Sequence, residues 1–212
     1  MHRGFFVVLE GPEGAGKTTL AAALITRMRE DGLEPVSVRE PGGTAVAEAL
    51  RHELLDPTRQ WSPEVELLYM TTARADLVSK VIRPALERGQ VVLSDRYDLS
   101  TLAYQGAGRG LPMEHVRWVN RSATGGLVPD LTLVLDLVPE LGRARQRLAG
   151  KGADRMEQEG AAFHDRVAAA YLAATGEGVH HLAAGASPDE VLRAAWAQLC
   201  RARPETFRAR IE

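Results

Sequence analysis

A single cysteine, Cys200, in 212 residues leaves no internal disulfide to form. The first residues, MHRGFFVVLEG, run into apolar sequence without a long apolar leader, and together these features point to a reducing, cytoplasmic setting. An excess of one charge is also missing. Lys and Arg total 26 against 28 Asp and Glu, a net charge of -2, so no broad basic face is demanded and nucleic acid polymers are not expected as partners. Apolar runs such as FFVVL and LTLVLDLV fall far short of the roughly 20 residues that a membrane helix needs, so no membrane partner is expected either. No internal repeat and no low-complexity linker divides the chain, and its length suits one domain over residues 1–212 with one substantial core.

What is present is alternation. Short apolar runs, FFVVLE, PVSVRE, VVLSD, LTLVLDL and VHHLAA, are each followed by sequence of helical period. The spacing predicts helices from Lys17 to about Glu30, from about Thr44 to Leu55, and as one long rod from Pro63 to Glu87 that Gly89 closes. Later helices are predicted in PMEHVRWVNRSA, PELGRARQRLAG, FHDRVAAAYLAAT and SPDEVLRAAWAQLCRAR. Near-continuous apolar strands alternating with helices predict an α/β fold, a five-stranded parallel sheet covered by helices on both faces, with ligands at the carboxyl ends of the strands. The Gly-broken polar interval RQRLAGKGADRMEQEG reads as a flexible flap.

Directly after the first strand stands GPEGAGKT: Gly11, Pro12, Glu13, Gly14, Ala15, Gly16, Lys17 and Thr18, followed by Thr19. Two glycines, Gly11 and Gly16, with four residues between them, then Lys and Thr, between a strand and a helix, form the Walker pattern. Its backbone N–H groups and the helix N-terminus cradle phosphate oxygens, Lys17 reaches the β- and γ-phosphates, and the Thr18 hydroxyl ligates Mg²⁺. The chain is therefore read as binding a nucleoside triphosphate. Two classes remain open at this point, a switch or motor ATPase and a small-molecule kinase. Neither an NKxD guanine-reading element nor a DxxG switch element is found, while REPGG and DRYDLSTLAYQ set polar groups at other strand ends where an acceptor pocket could be built. A phosphotransferase gains from this. Asp95, at the tip of VVLSD, is placed to act on the Mg²⁺ shell, and Arg96 beside it to bridge the acceptor phosphate and the moving phosphoryl group.

The segments LEGPEGAGKTT, REPGGT, DRYDLSTLAYQGAGRG and DRMEQE, in that order, resemble bacterial thymidylate kinases over nearly the whole chain. The resemblance implies the nucleoside monophosphate kinase type of P-loop fold with a small mobile lid, here residues 143–160. It further implies ATP, Mg²⁺ and dTMP giving ADP and dTDP, in a homodimeric cytoplasmic enzyme of dTTP biosynthesis. By the same resemblance Arg74, Thr101 and Gln105 line a thymine pocket, Ser100 lies near it, and Tyr104 sits where a ribose 2'-hydroxyl would clash. Each of these also fits an ordinary helix-end polar residue. Glu13 corresponds to the acidic residue that binds the acceptor's sugar hydroxyl or phosphate shell. In REPGG, Pro41 and the glycines let the backbone approach the nucleotide, and Arg39 is the favoured ligand contact.

Three departures qualify the match. The Walker loop holds no cation except Lys17, so a catalytic arginine is expected from the lid, with Arg147 and Arg155 favoured and Lys151 sharing the role. The last strand reads HHLAAGAS in place of an acidic pattern near adenine, which weakens the case for ATP over other donors. Met70 stands where an aromatic residue commonly stacks on thymine, four positions before Arg74 and so on the same helix face. A related P-loop kinase for another small acceptor and a nucleotide-binding switch remain the alternatives.

Overall fold

A computed structural model describes residues 4–149 and 154–208, and only the backbone of residues 139 and 146–149. In it the alternation resolves into β1 (Phe5–Glu10), β2 (Val36–Arg39), β3 (Val91–Asp95), β4 (Leu131–Asp136) and β5 (Val179–Ala183). All pair in parallel, in the order β2-β3-β1-β4-β5. Side chains alternate along a strand, so Phe5, Val7 and Leu9 meet one layer of helices and Phe6 and Val8 meet the other. The first layer contains α1 (Lys17–Glu30) and α9 (Pro188–Ala202), which contribute Leu24, Met28 and Leu199. The second contributes Leu77, Ile82 and Ala85. Burial on both faces, worth roughly 1.5–3 kcal/mol for each large apolar side chain, is why β1 and β4 are near-continuous apolar runs.

Helix α2 (Ala45–Leu55) starts at Thr44, whose hydroxyl accepts from Ala47 N. The rod expected from Pro63 to Glu87 is instead α3 (Pro63–Leu77), one π-helical turn (Val78–Ile82) and α4 (Arg83–Glu87). Pro84 supplies the reason, because it has no N–H for the preceding turn and its ring crowds the carbonyl one turn back. A second π-helical stretch, Leu102–Gly108, follows the short α5 (Asp98–Thr101), with Arg109 N–H reaching back five residues to Tyr104 O. Then come α6 (Met113–Thr124), α7 (Pro139–Ala149) and α8 (Ala161–Leu172).

The flap read from RQRLAGKGADRMEQEG divides. Its first part is helical as far as Ala149, and its last part is a hydrogen-bonded turn in which Asp154 Oδ1 accepts from Met156 N and Glu157 N at 2.9 Å each. Strand register then gathers the polar tips: Leu9 pairs with Asp95, and Asp95 with Arg39. Glu10, Asp95, Arg96, Arg39 and Glu40 therefore reach the same carboxyl edge. Among the described residues no helix is long and apolar enough to cross a membrane.

Candidate active site

A cavity of about 850 Å³ opens at that edge, lined at one end by residues 13–19 and at the other by Arg39, Met70 and Gln105. The phosphate loop is shaped by close backbone approaches. Gly14 has φ 74°, and a Cβ there would lie 2.5 Å from Gly142 O of α7, so a side chain is excluded twice over. Gly16, also left-handed, caps α1. Lys17 is 7% exposed and its Nζ donates to Gly11 O at 2.9 Å and Pro12 O at 2.8 Å. Burial and, next, the positive charge of Arg96 lower the Lys17 pKa to about 7. Thr18 Oγ1 donates to Asp95 Oδ2 at 2.8 Å, which sets two hard oxygen donors side by side.

Arg96 has φ 78°, alone among the described non-glycine residues in having positive φ. Such a backbone costs of order 1–3 kcal/mol and is held by Arg96 N donating to Leu9 O at 2.9 Å and Arg96 O accepting from Ser94 Oγ at 2.7 Å. The turn aims the guanidinium into the cavity. There Nη1 donates to Tyr171 Oη at 3.0 Å and to Ser100 Oγ and Gly11 O at 3.2 Å, and Nη2 donates to Tyr104 Oη at 3.2 Å. Behind it lies the fully buried Glu10, which accepts from Ser100 N, Ser100 Oγ, Tyr171 Oη and Tyr97 N. Burial outweighs these bonds and raises the Glu10 pKa. Ser100 and Tyr171 thus join a buried carboxyl to the cavity arginine, and no motif marked the tyrosine that α8 supplies.

Glu13, Arg39, Pro41, Met70, Ser100, Tyr104 and Gln105 all reach the cavity. Tyr104 Oη donates to Glu13 Oε1 at 3.3 Å, and Arg39 Nη2 pairs with Glu48 at 2.9 Å. Arg74 and Thr101 do not line it and depart from the expected pocket. Arg74 is 1% exposed, and four of its five N–H donors are used on Glu40 Oε2, Thr101 Oγ1, Asn120 Oδ1 and Tyr97 O. It shares a helix face with Met70, but one turn further along that face is covered by the strand tip and α6. Its Glu40 partner is pushed up to about 7 by burial, against the pull of Arg74. In its place the cavity has Arg51, which no motif marked. Its Nη1 donates to Pro41 O at 2.9 Å, and burial together with the charge of Arg39, and more weakly Arg96, lowers its pKa.

Of the cations expected in the lid, Arg155 is the one whose side chain is described. Arg155 reaches the cavity, but on its side wall: Nε donates to Leu54 O at 2.7 Å and Nη2 lies 2.7 Å from Glu66 Oε2. Among the described side chains of α7, Arg145 is the arginine at the phosphate loop, donating to Gly14 O at 3.2 Å and Ala184 O at 3.1 Å. Arg147 falls in the last turn of α7, where only the backbone is described, and Lys151 lies outside the described residues. Beyond Arg145 the cavity continues along Ala184, Ala186, Asp189 and Leu192, a mostly apolar slot with one carboxylate.

The chain is similar to curated proteins over most of its length. A thymidylate kinase of Synechococcus sp. (strain JA-3-3Ab) is 51% identical over 196 residues, covering 90% of this chain and 93% of the relative. Thymidylate kinases of Thermomicrobium roseum and Deinococcus radiodurans are 54% and 49% identical, covering 80% and 81% of this chain and 80% and 83% of their own lengths. The family model for thymidylate kinase matches residues 9–195, from the end of β1 into α9 and so across the phosphate loop, Arg96 and the cavity wall. With fold, cavity and sequence in agreement, the chain belongs to the thymidylate kinase family.

Proposed function

We propose that this chain transfers the γ-phosphoryl group of ATP to dTMP, giving dTDP and ADP in dTTP biosynthesis. One observation carries the reading: a single cavity has a phosphate loop at one end, a base-sized wall of Met70 and Gln105 at the other, and Lys17, Arg96 and Arg51 between them. Lys17 and Arg96 repel each other in the free site, and so do Arg51 and Arg96. Phosphates placed there relieve that repulsion. The acceptor is a phosphate oxygen that is already anionic, so no general base is required. The oxygen forms its bond to the γ-phosphorus as the bond to the ADP oxygen breaks, and the chain's task is alignment and charge stabilisation.

In this reading Gly11–Thr19 hold the donor phosphates, and Lys17 and Arg96 stabilise charge on the moving group. Arg51, Arg39 and Pro41 border the acceptor phosphate, Glu13 and Tyr104 the sugar, and Met70, Gln105 and the nearby Ser100 the base side. Thr18 and Asp95 fit a magnesium ion, which when bound neutralises charge between the donor's phosphoryl oxygens. Residues 143–160 act as the lid, and Arg145, already on the loop, is the described lid cation best placed to join Lys17. ADP release measured with each nucleoside monophosphate, and with none, tests the proposal. Release that needs dTMP is the expected result. Preference for another monophosphate supports the related-kinase alternative, and release independent of acceptor supports the switch.

Met70→Phe is expected to lower the KM for dTMP about threefold to tenfold, near 1 kcal/mol, and to leave that for ATP unchanged. A thioether against a ring contributes roughly 0.3–1.5 kcal/mol, compared with about 1–3 for aromatic stacking on a base. An unchanged dTMP constant in a folded variant removes Met70 from base contact. Homodimerisation is proposed from the outer flank of α3 and α6, where the Glu64–His115 hydrogen bond sets Leu68 and Trp118, 48% and 68% exposed, one turn further along the same side. Mass measured by light scattering distinguishes the dimer from the monomer.

A further inference from the structure

The base-side wall contains a buried acceptor without a donor. Gln105 is 1% exposed, and its Nε2 donates to Glu66 Oε1 at 2.8 Å. Its Oε1, also buried, has no hydrogen-bond partner among the described residues. Turning the amide over does not help. Glu66 is itself 1% exposed, accepts from Arg109 Nε at 3.1 Å and Nη2 at 3.0 Å, and lies 2.7 Å from Arg155 Nη2. Burial alone would raise its pKa, but the bonds from Arg109 and Gln105 and the two guanidinium charges outweigh burial and hold it below the usual carboxylate range. Glu66 is therefore an acceptor only. A turned amide would face one acceptor with another, so the NH₂ group is fixed on Glu66 and the carbonyl is the face that remains for a ligand.

We propose that Glu66 is a positioning residue that sets base selectivity, by locking the Gln105 amide so that the pocket demands a ring N–H donor from the acceptor's pyrimidine. Thymine and uracil carry N3–H. Cytosine presents a lone pair at the same atom and would meet the Gln105 carbonyl acceptor to acceptor, leaving both unpaired in a buried place. Sites that hydrogen-bond a substrate group in this way reject analogues lacking it far more strongly than apolar pockets reject a change of size. The inference rests on the pyrimidine nucleotide acceptor and the Gln105 base contact proposed above, and adds what fixes that contact.

The test is the ratio of kcat/KM for dTMP to that for dCMP, with the KM for ATP measured alongside, in the wild type, Glu66→Gln, Glu66→Asp and Gln105→Leu. Glutamine at 66 can pair with Gln105 in either amide orientation, so the ratio is expected to fall about tenfold to a hundredfold, chiefly through the KM for dTMP, with the ATP constant steady. Glu66→Asp keeps the charge but withdraws it from Gln105, and carries the test if Glu66→Gln does not fold. Gln105→Leu leaves Glu66 with its arginines and sets the floor that the Glu66 variants should approach. A wild-type ratio persisting in a folded Glu66 variant overturns the inference alone. A wild type active on neither nucleotide overturns it together with the proposed function.

Discussion

Alanine at Arg96 is expected to cut turnover by about 10³ to 10⁵, the range for an arginine that stabilises charge on a transferring phosphoryl group, with little change in thermal unfolding. The stability half follows from the backbone. Alanine bears the strain of φ 78° much as arginine does, and the bonds from Arg96 N to Leu9 O and from Ser94 Oγ to Arg96 O do not involve the side chain. The turnover half follows from its side-chain partners, Ser100, Tyr104, Tyr171 and Gly11 O, which are uncharged oxygens at 3.0–3.2 Å that a phosphate can displace. ADP release at saturating substrates together with a melting curve decides it. Normal turnover with a lowered Tm would make the DRY segment a loop cap.

Lys17→Ala is expected to abolish transfer in a folded protein, because Lys17 bonds only loop carbonyls, Gly11 O and Pro12 O, and no core side chain. It also removes a proton linkage. Free Lys17 titrates at about 7, whereas beside a triphosphate it returns toward the ordinary value near 10. Above pH 7 nucleotide binding should therefore take up a proton, and affinity should weaken as pH rises. For the free protein the sign is opposite: the unfolded chain binds more protons between about pH 7 and 10, so this group's contribution to stability rises with pH across that window. Calorimetry in buffers of different ionisation enthalpy should find the uptake in the wild type and not in the variant. Equal uptake in both, or unchanged turnover, would contradict the assignment.

Much of this was legible in the sequence because its causes are local. A strand buried on both faces must be continuously apolar, and a phosphate loop must carry glycines where its backbone turns left-handed, so β1 and residues 11–18 read directly. Helical period also placed Met70 and Arg74 on one face. Period reports direction and not depth, and the depth of Arg74 depends on Glu40 and Asn120, which meet it only in the fold. Arg155 sits in a motif-like segment, but its position is decided by Glu66 and the end of α2. Arg51 and Tyr171 had no signal, being ordinary residues of ordinary helices. Glu10 had one that went unread: a carboxylate closing a wholly apolar strand has to be paired by something.

The wide helical stretch from Leu102 to Gly108 sets this protein's stability against its usefulness. A π-helical turn amounts to an α-helix accommodating an extra residue, and regular α-helical bonding is the more stable arrangement. Losing one residue from the stretch should therefore strengthen the backbone. The same loss would alter how Tyr104 and Gln105, neighbours in sequence that both reach the cavity, project from the helix, and the sugar and base contacts proposed for them depend on that projection. Selection for heat resistance alone would favour the deletion and selection for phosphoryl transfer would oppose it, so stabilised versions of this chain are better sought at the far end of the sheet than in this helix.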